Sequence, residues 1–179
     1  MNRKQKGYAI SSTKEFNMVY PDPEALIELF NRTHWVMKKQ ADGLSHADSL
    51  LQPAHSGNCF NWVLGHIIAG RNSVLIALDE APIWSEETLA VYKRESEPIT
   101  SSDQAQPFED LLADLDETQR RIVTALERIP AEKLEKVAAN DPNDRSVGQR
   151  VAFLHWHETY HTGQLELLRQ LAGKADKII

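Results

Sequence analysis

The chain has 179 residues, of which 41% are hydrophobic and 26% charged, a profile typical of one globular domain with a full apolar core. Its formal charge of −6 argues against nucleic acid or an anionic membrane surface as the main partner, because phosphate binding requires clustered Lys and Arg. The single cysteine, Cys59, excludes an intrachain disulfide and favours a reducing compartment.

The N-terminal residues 1–20 mix charged and apolar residues without a regular period, and we expect them to form a loosely ordered arm. No apolar run follows the basic start, as a secretory signal would require. No segment approaches the roughly 18 apolar residues that a membrane span needs. The sequence therefore predicts a cytoplasmic protein whose folded domain covers residues 21–179.

Two amphipathic segments in the first half of the chain are predicted to be helices. The first begins at Pro23, with Asp22 as its N-cap, and ends near Ala41. The second runs from about Asn58 to about Ala81, just before Pro82.

Two further helices are predicted after a long connection. Residues 82–106 are too many for a tight hairpin and should form a crossover with a short helix near Glu86–Tyr92. The third helix spans about 107–129, and the fourth begins near Asp144 or Ser146 and ends at Gly173. Without strands of useful length, this pattern predicts an all-α four-helix bundle with a long crossover between its second and third helices.

Histidines on the second and fourth helices carry the functional signal. His157 and His161 are four residues apart, so both imidazoles lie on one helical face, one turn apart. His66 lies in the middle of the predicted inner stripe of the second helix. Three inward imidazoles without a cysteine ligand predict a divalent metal site with open coordination positions, suited to zinc, nickel or ferrous iron.

The predicted inner stripe of the fourth helix defines the residues around these ligands. It contains Val147, Arg150, Leu154, His157, Tyr160, His161, Gln164, Leu165, Leu168 and Leu171. Off this stripe, His155 is predicted to face solvent or a neighbouring subunit. Glu158, at the border of the stripe, is predicted to be an exposed carboxylate rather than a base or a hydrogen-bonding support of the site. Cys59 is predicted to be a buried apolar residue rather than a ligand.

Two polar residues of the stripe have alternative interpretations. Gln164 is either a hydrogen-bonding partner of a ligand imidazole or metal-bound group, or a polar residue packed between helices. Arg150 is either half of an ion pair at the end of the bundle or an anchor for an anionic substrate or thiol.

The segment His157-Glu158-Thr159-Tyr160-His161 also matches H-E-x-x-H, in which zinc proteases use the glutamate as general base. The extended form of that motif requires Gly and His downstream, where this chain has Gln164 and Leu167. A zinc protease is therefore the weakest of the functional hypotheses.

The complete constellation resembles the DinB-like family of damage-inducible bundle proteins. The resemblance rests on Asn61–Ala69 around His66 and on the H-x-x-x-H-x-G-Q segment from His157 to Gln164, and it extends over residues 21–173. It implies a four-helix bundle, often a homodimer, with a divalent metal held by His66 and the histidine pair. Characterised relatives include thiol-dependent S-transferases and isomerases.

Two main hypotheses follow for the function. The first is a metal-dependent enzyme that transfers a low-molecular-weight thiol, or performs a related hydrolysis, on a small molecule. The second is a non-catalytic bundle that binds a metal or small ligand in a stress response.

Overall fold

The computed structural model describes residues 20–54, 57–139 and 141–179, and these ranges contain helices but no β-strand. The long helices are α1 (Pro23–Ala41), α3 (Phe60–Ala77), α5 (Phe108–Arg128) and α7 (Val147–Leu171). The short ones are α2 (His46–Ser49), α4 (Glu86–Tyr92), α6 (Ala131–Leu134) and a 3₁₀ turn at Ser102–Gln104. The predicted all-α four-helix bundle is confirmed.

The four long helices form a closed ring of contacts. Both α1 and α3 pack against α5 and α7, so α1 lies diagonally opposite α3. The predicted crossover joins α3 to α5, and its short helix α4 has the predicted bounds and packs against α3. The crossover therefore lies against the helix that carries His66.

Local capping signals set the ends of α1 and α7 as predicted. The Asp22 carboxylate accepts the backbone N–H of Ala25 at 2.8 Å. Ser146 and Gln149 form a reciprocal capping box at the start of α7. Gly173 follows the end of α7 with a φ of 74°, a left-handed conformation that glycine adopts at little cost.

Helix α3 ends at Ala77, four residues earlier than predicted. Asp79 adopts a φ of 61°, which turns the chain out of the helix before Pro82 is reached. The backbone N–H groups of Asp79 and Glu80 donate to the carbonyls of Ile76 and Leu75, at 3.0 and 2.8 Å. These bonds satisfy the terminal carbonyls of the helix.

A band of polar side chains crosses the middle of the bundle and separates two apolar clusters. One cluster includes Met37, Ile68, Leu115 and Leu165, and the other includes Phe30, Val74, Ile122 and Leu154. Five buried polar residues near the middle of the four long helices are here called the polar layer: Thr33, Arg71, Thr118, His155 and Glu158.

An ion pair between α3 and α7 forms the centre of the polar layer. Arg71 and Glu158 have side chains that are 0% and 4% exposed. Nε and Nη2 of Arg71 donate to the two oxygens of Glu158, at 2.8 and 2.9 Å. Thr33 donates to Oε1 of the same carboxylate, and Nη1 of Arg71 donates to the Leu115 carbonyl. The pair is thus fully hydrogen-bonded, as a buried charge pair requires.

The predicted inner face of α7 is wrong at several positions. His155 and Glu158 are buried, whereas Tyr160 and Leu171, the last residue of the helix, are 60% and 43% exposed. A prediction based on the apolar residues of one helix places its charged residues on the solvent side. Glu158 is buried instead, because Arg71 neutralises its charge within the core. Helix α7 is therefore rotated relative to the prediction, and its histidine pair lies at the edge of the buried face.

Gly65 allows α4 to approach α3 closely. A Cβ at this position would overlap the ring of Tyr92, which is fully buried.

We expect Gly65→Ala to lower the free energy of unfolding by about 1–3 kcal/mol, since an overpacked core must shift. Gly163→Ala is the matched control, because a Cβ there meets no atom within 4 Å, and it should stabilise the protein by about 0.5–1 kcal/mol. Urea unfolding of both variants measures the difference; equal effects would contradict this account.

The predicted N-terminal arm lies outside the described residues, except for Tyr20. The Tyr20 ring packs against Gly148, and its hydroxyl donates to Glu135. The division into an arm and a domain stays a prediction.

Candidate metal centre

His66, His157 and His161 lie together in the structure, and the proximity of His157 and His161 follows from their spacing of four residues. Nε2 of His157 is 3.4 Å from Nε2 of His66 and 3.0 Å from Nε2 of His161. One nitrogen from each of the three rings lies within 4.8 Å of the others. Helix α3 supplies one ring and α7 supplies two, so packing of these helices forms the group.

The opposite nitrogens of two rings are held by oxygen acceptors. Nδ1 of His66 is 2.7 Å from the backbone carbonyl of Tyr92, at the end of α4. A carbonyl only accepts, so the proton of His66 lies on Nδ1 and the lone pair on Nε2. Nδ1 of His161 is likewise 2.7 Å from Oε1 of Gln164. Trp62 stacks on His66 at a centroid distance of 4.8 Å and fixes the plane of its ring.

The nitrogen positions fit a metal ion. Ligand nitrogens at about 2.05 Å from a tetrahedral centre lie roughly 3.3 Å apart. The two separations measured from His157 are close to this value. The oxygen acceptors on Nδ1 of His66 and His161 leave a lone pair on Nε2 of each ring, close to Nε2 of His157, so this group is suited to a divalent ion.

All three imidazoles are held in the neutral form that metal binding needs. Burial, followed by the neighbouring His161 and His66, lowers the pKa of His157 to about 4. Burial also lowers the pKa of His66 and of His161, although the hydrogen bonds to Tyr92 and Gln164 act in the opposite direction. No proton therefore has to leave these rings at neutral pH before they bind a metal.

The glutamate of the H-E-x-x-H match does not face the histidines. Both oxygens of Glu158 are bound by Arg71. Burial raises the pKa of Glu158, but the charge and hydrogen bonds of Arg71 outweigh burial and hold the pKa below its ordinary value. A carboxylate with both oxygens occupied is not available as a general base, which argues against the protease hypothesis.

Sequence analysis missed Arg71, although a signal for it exists. It is the only Asp, Glu, Lys or Arg in α3, an otherwise apolar helix. A single charge in such a helix requires a partner, because an unpaired buried charge is costly. The supporting carbonyl of Tyr92 carried no sequence signal, since every residue has a carbonyl.

Gln164 and Arg150 lie near the histidines with different partners. Gln164 accepts from His161, in agreement with the first of its two interpretations. Arg150 forms an ion pair with Asp141 at 3.2 Å, as its structural interpretation expected. Arg150 also lines a cleft beside His66 and His157, so the ion pair does not remove it from the site.

Two cavities adjoin the histidine group. The larger, of about 850 Å³, is called the aromatic pocket and is lined by Trp62, Trp156, Tyr160, Leu167, Leu168 and the three histidines, among others. The smaller, of about 310 Å³, is called the cationic cleft and is lined by Lys93, Arg94, Arg150, Ser73 and Phe153, together with His66 and His157, among others.

The other described histidines lie away from this group. His34 contacts Asp116 at 3.1 Å, and buried His155 packs edge-on against Phe30. Cys59 is buried, as predicted. His55 lies outside the described residues.

His46 contacts Ser102, but the pair is not arranged as a nucleophile and its base. Nε2 of His46 is 2.8 Å from the Ser102 hydroxyl, while the backbone N–H of Phe108 donates to Nδ1. Nδ1 therefore carries the lone pair and Nε2 the proton, which leaves His46 unable to accept the serine proton. His46 instead satisfies the first backbone donor of α5.

His34 should make the protein less stable in weak acid. Burial, followed by the charge of Arg71, lowers the pKa of His34 from 6.5 to about 4, although Asp116 opposes this. Between these values the unfolded chain takes up a proton that the folded protein does not, so stability falls as pH decreases through this window. In metal-depleted protein, the free energy of unfolding should decrease between pH 7.5 and pH 5. This decrease should be smaller in His34→Gln than in the wild type by about 1 kcal/mol, a value that allows for solvent screening. Urea unfolding at both pH values measures this loss, and an identical loss in the variant would contradict the assignment.

The fold and the histidine group define a helical-bundle protein with a candidate metal centre between two of its long helices. A sequence model of the DinB superfamily matches residues 29–165, most of the chain. The chain belongs to the DinB superfamily.

A similar solved structure agrees with this fold. The crystal structure of a conserved protein from Enterococcus faecalis has a TM-score of 0.66 and 17% sequence identity, and the alignment covers 84% of this chain and 97% of that one. No curated protein matches the sequence.

Among the described helices, none is long and apolar enough to cross a membrane.

Proposed function

We propose that His66, His157 and His161 bind a divalent metal ion, and that the protein uses it to transfer a thiol, or to perform a related hydrolysis, on a small molecule. The observation that carries the proposal is the convergence of three neutral ring nitrogens, two of them on rings held by oxygen acceptors. Zinc or nickel suits this all-imidazole set best, and ferrous iron also fits.

The bound metal would supply a Lewis acid that lowers the pKa of a thiol or water at its open positions. Tyr92 and Gln164 orient the ligand rings. Thiol transfer needs no protein nucleophile, in agreement with the buried position of Cys59 and the bonded state of Ser102.

A second candidate function is ligand binding without catalysis. It is favoured by the position of Glu158, whose carboxylate is occupied by Arg71 and so is not available as a base beside the histidines. A cytoplasmic location stays a prediction of the sequence, and a homodimer stays an implication of the family resemblance.

Metal analysis and a turnover assay test this proposal. Protein purified without chelators should contain about one divalent ion per chain, as a three-histidine site predicts. It should accelerate the reaction of 2-mercaptoethanol with 1-chloro-2,4-dinitrobenzene, and chelation should abolish the acceleration. Bound metal without turnover of this or other thiol–electrophile pairs would favour the binding function, and absence of metal would overturn the proposal.

A further inference from the structure

The aromatic pocket exposes an unusual number of large apolar side chains. Trp156, Tyr160 and Leu167 are 62%, 60% and 66% exposed and lie on one side of α7. Trp62 lines the same pocket, stacked on His66. Single exposed apolar residues are ordinary, but a group of them around a concave site marks a surface that binds an apolar ligand.

The cationic cleft has the opposite character. Lys93, Arg94 and Arg150 line it, and no carboxylate does so within the described part of the chain. Arg150 is paired with Asp141, and Arg94 is 3.5 Å from the exposed Glu95, a residue that lines the adjoining aromatic pocket, while Lys93 is exposed. In a protein of charge −6, three cations around one small cleft form a local site for an anion.

The two cavities lie next to each other at the histidine group. His66, His157 and Arg94 line both of them. A ligand that fills both cavities therefore passes beside Nε2 of His66 and His157.

We propose that the site binds a small amphiphilic organic anion, with an aromatic or alkyl body in the aromatic pocket and a carboxylate in the cationic cleft. This inference names the substrate class of the proposed function and rests on it for the chemistry, although binding of such an anion does not require the metal. The part of the ligand between its two ends would then face the three histidines.

Isothermal titration calorimetry with two matched probes tests the proposal. The probes are 3-phenylpropionate and its uncharged amide, 3-phenylpropanamide, and each is titrated into the purified protein and into the same protein after chelation. We expect the acid to bind about 10-fold more tightly than the amide in both preparations, a difference of about 1.4 kcal/mol. High salt should reduce the preference.

Variants assign the preference to each cavity. Lys93→Ala/Arg94→Ala should bring the acid to the affinity of the amide, whereas Trp156→Ala should weaken both probes equally. Arg120→Ala is the control, because this exposed arginine pairs with Glu117 on α5, outside both cavities, and it should change neither affinity.

The possible results separate this inference from the proposed function. Equal affinity of acid and amide, no binding of either probe up to about 10 mM, or an acid preference that survives Lys93→Ala/Arg94→Ala would overturn the inference. A preference present with metal and lost on chelation would mean that the carboxylate binds the metal directly, which also overturns it. Absence of metal in the purified protein would overturn the proposed function, while the acid preference of the chelated protein would still support the cleft.

Discussion

Glu158→Leu is expected to lower the free energy of unfolding by about 3–5 kcal/mol, because it leaves the guanidinium of Arg71 buried without its counter-ion. Arg71 is 0% exposed and has two of its donor nitrogens on Glu158, so no water can replace the lost acceptor without opening the core. Urea unfolding at pH 7 measures the loss. An effect below about 1 kcal/mol, typical of a surface ion pair, would contradict the burial of this pair.

The double variant Arg71→Met/Glu158→Leu separates the net contribution of the pair from the penalty of breaking it. Two apolar side chains of similar volume remove both charges together, and such replacements are often neutral or stabilising. We therefore expect the double variant to recover most of the stability lost in Glu158→Leu. If the loss of stability in the double variant equals the sum of the losses in Arg71→Met alone and Glu158→Leu alone, the two residues contribute independently.

His66→Ala is expected to lower the metal affinity by more than about 100-fold. Loss of a residue that only hydrogen-bonds to a metal ligand already lowers the affinity by about 10–100-fold, and loss of the ligand itself should cost more. The variant removes the one histidine that α3 contributes to the proposed site and leaves only the pair on α7. A competition titration with a chromophoric chelator measures the affinity. The stabilisation that added metal gives the wild type, about 2.7 kcal/mol at 100 times the dissociation constant, should be absent from the variant.

His155→Gln is the matched control for this measurement. His155 lies in the same run of α7 as the histidine pair, but it is buried in the polar layer against Phe30. The variant should keep the wild-type metal affinity, even if its stability changes. Equal loss of affinity in His66→Ala and His155→Gln would indicate a general disturbance of the bundle and would remove the support for His66 as a ligand.

The sequence by itself determined the elements whose causes are local. Asp22, the Ser146–Gln149 capping box and Gly173 act within a few residues along the chain, so the ends of α1 and α7 could be predicted from them. The histidine pair was equally accessible, since a spacing of four residues places two side chains on one face of any helix.

Tertiary structure decided the rotation of α7 and the partners of its polar residues. The apolar pattern alone places Glu158 outside, and only the approach of Arg71 from α3 makes its burial favourable. The same rotation moves Tyr160 into solvent and His155 into the core. The support of His66 by the Tyr92 carbonyl likewise depends on how α4 docks against α3. Such pairings are set by distances between helices, and a periodic pattern along one helix contains no information about the charge that a neighbouring helix will bring to it.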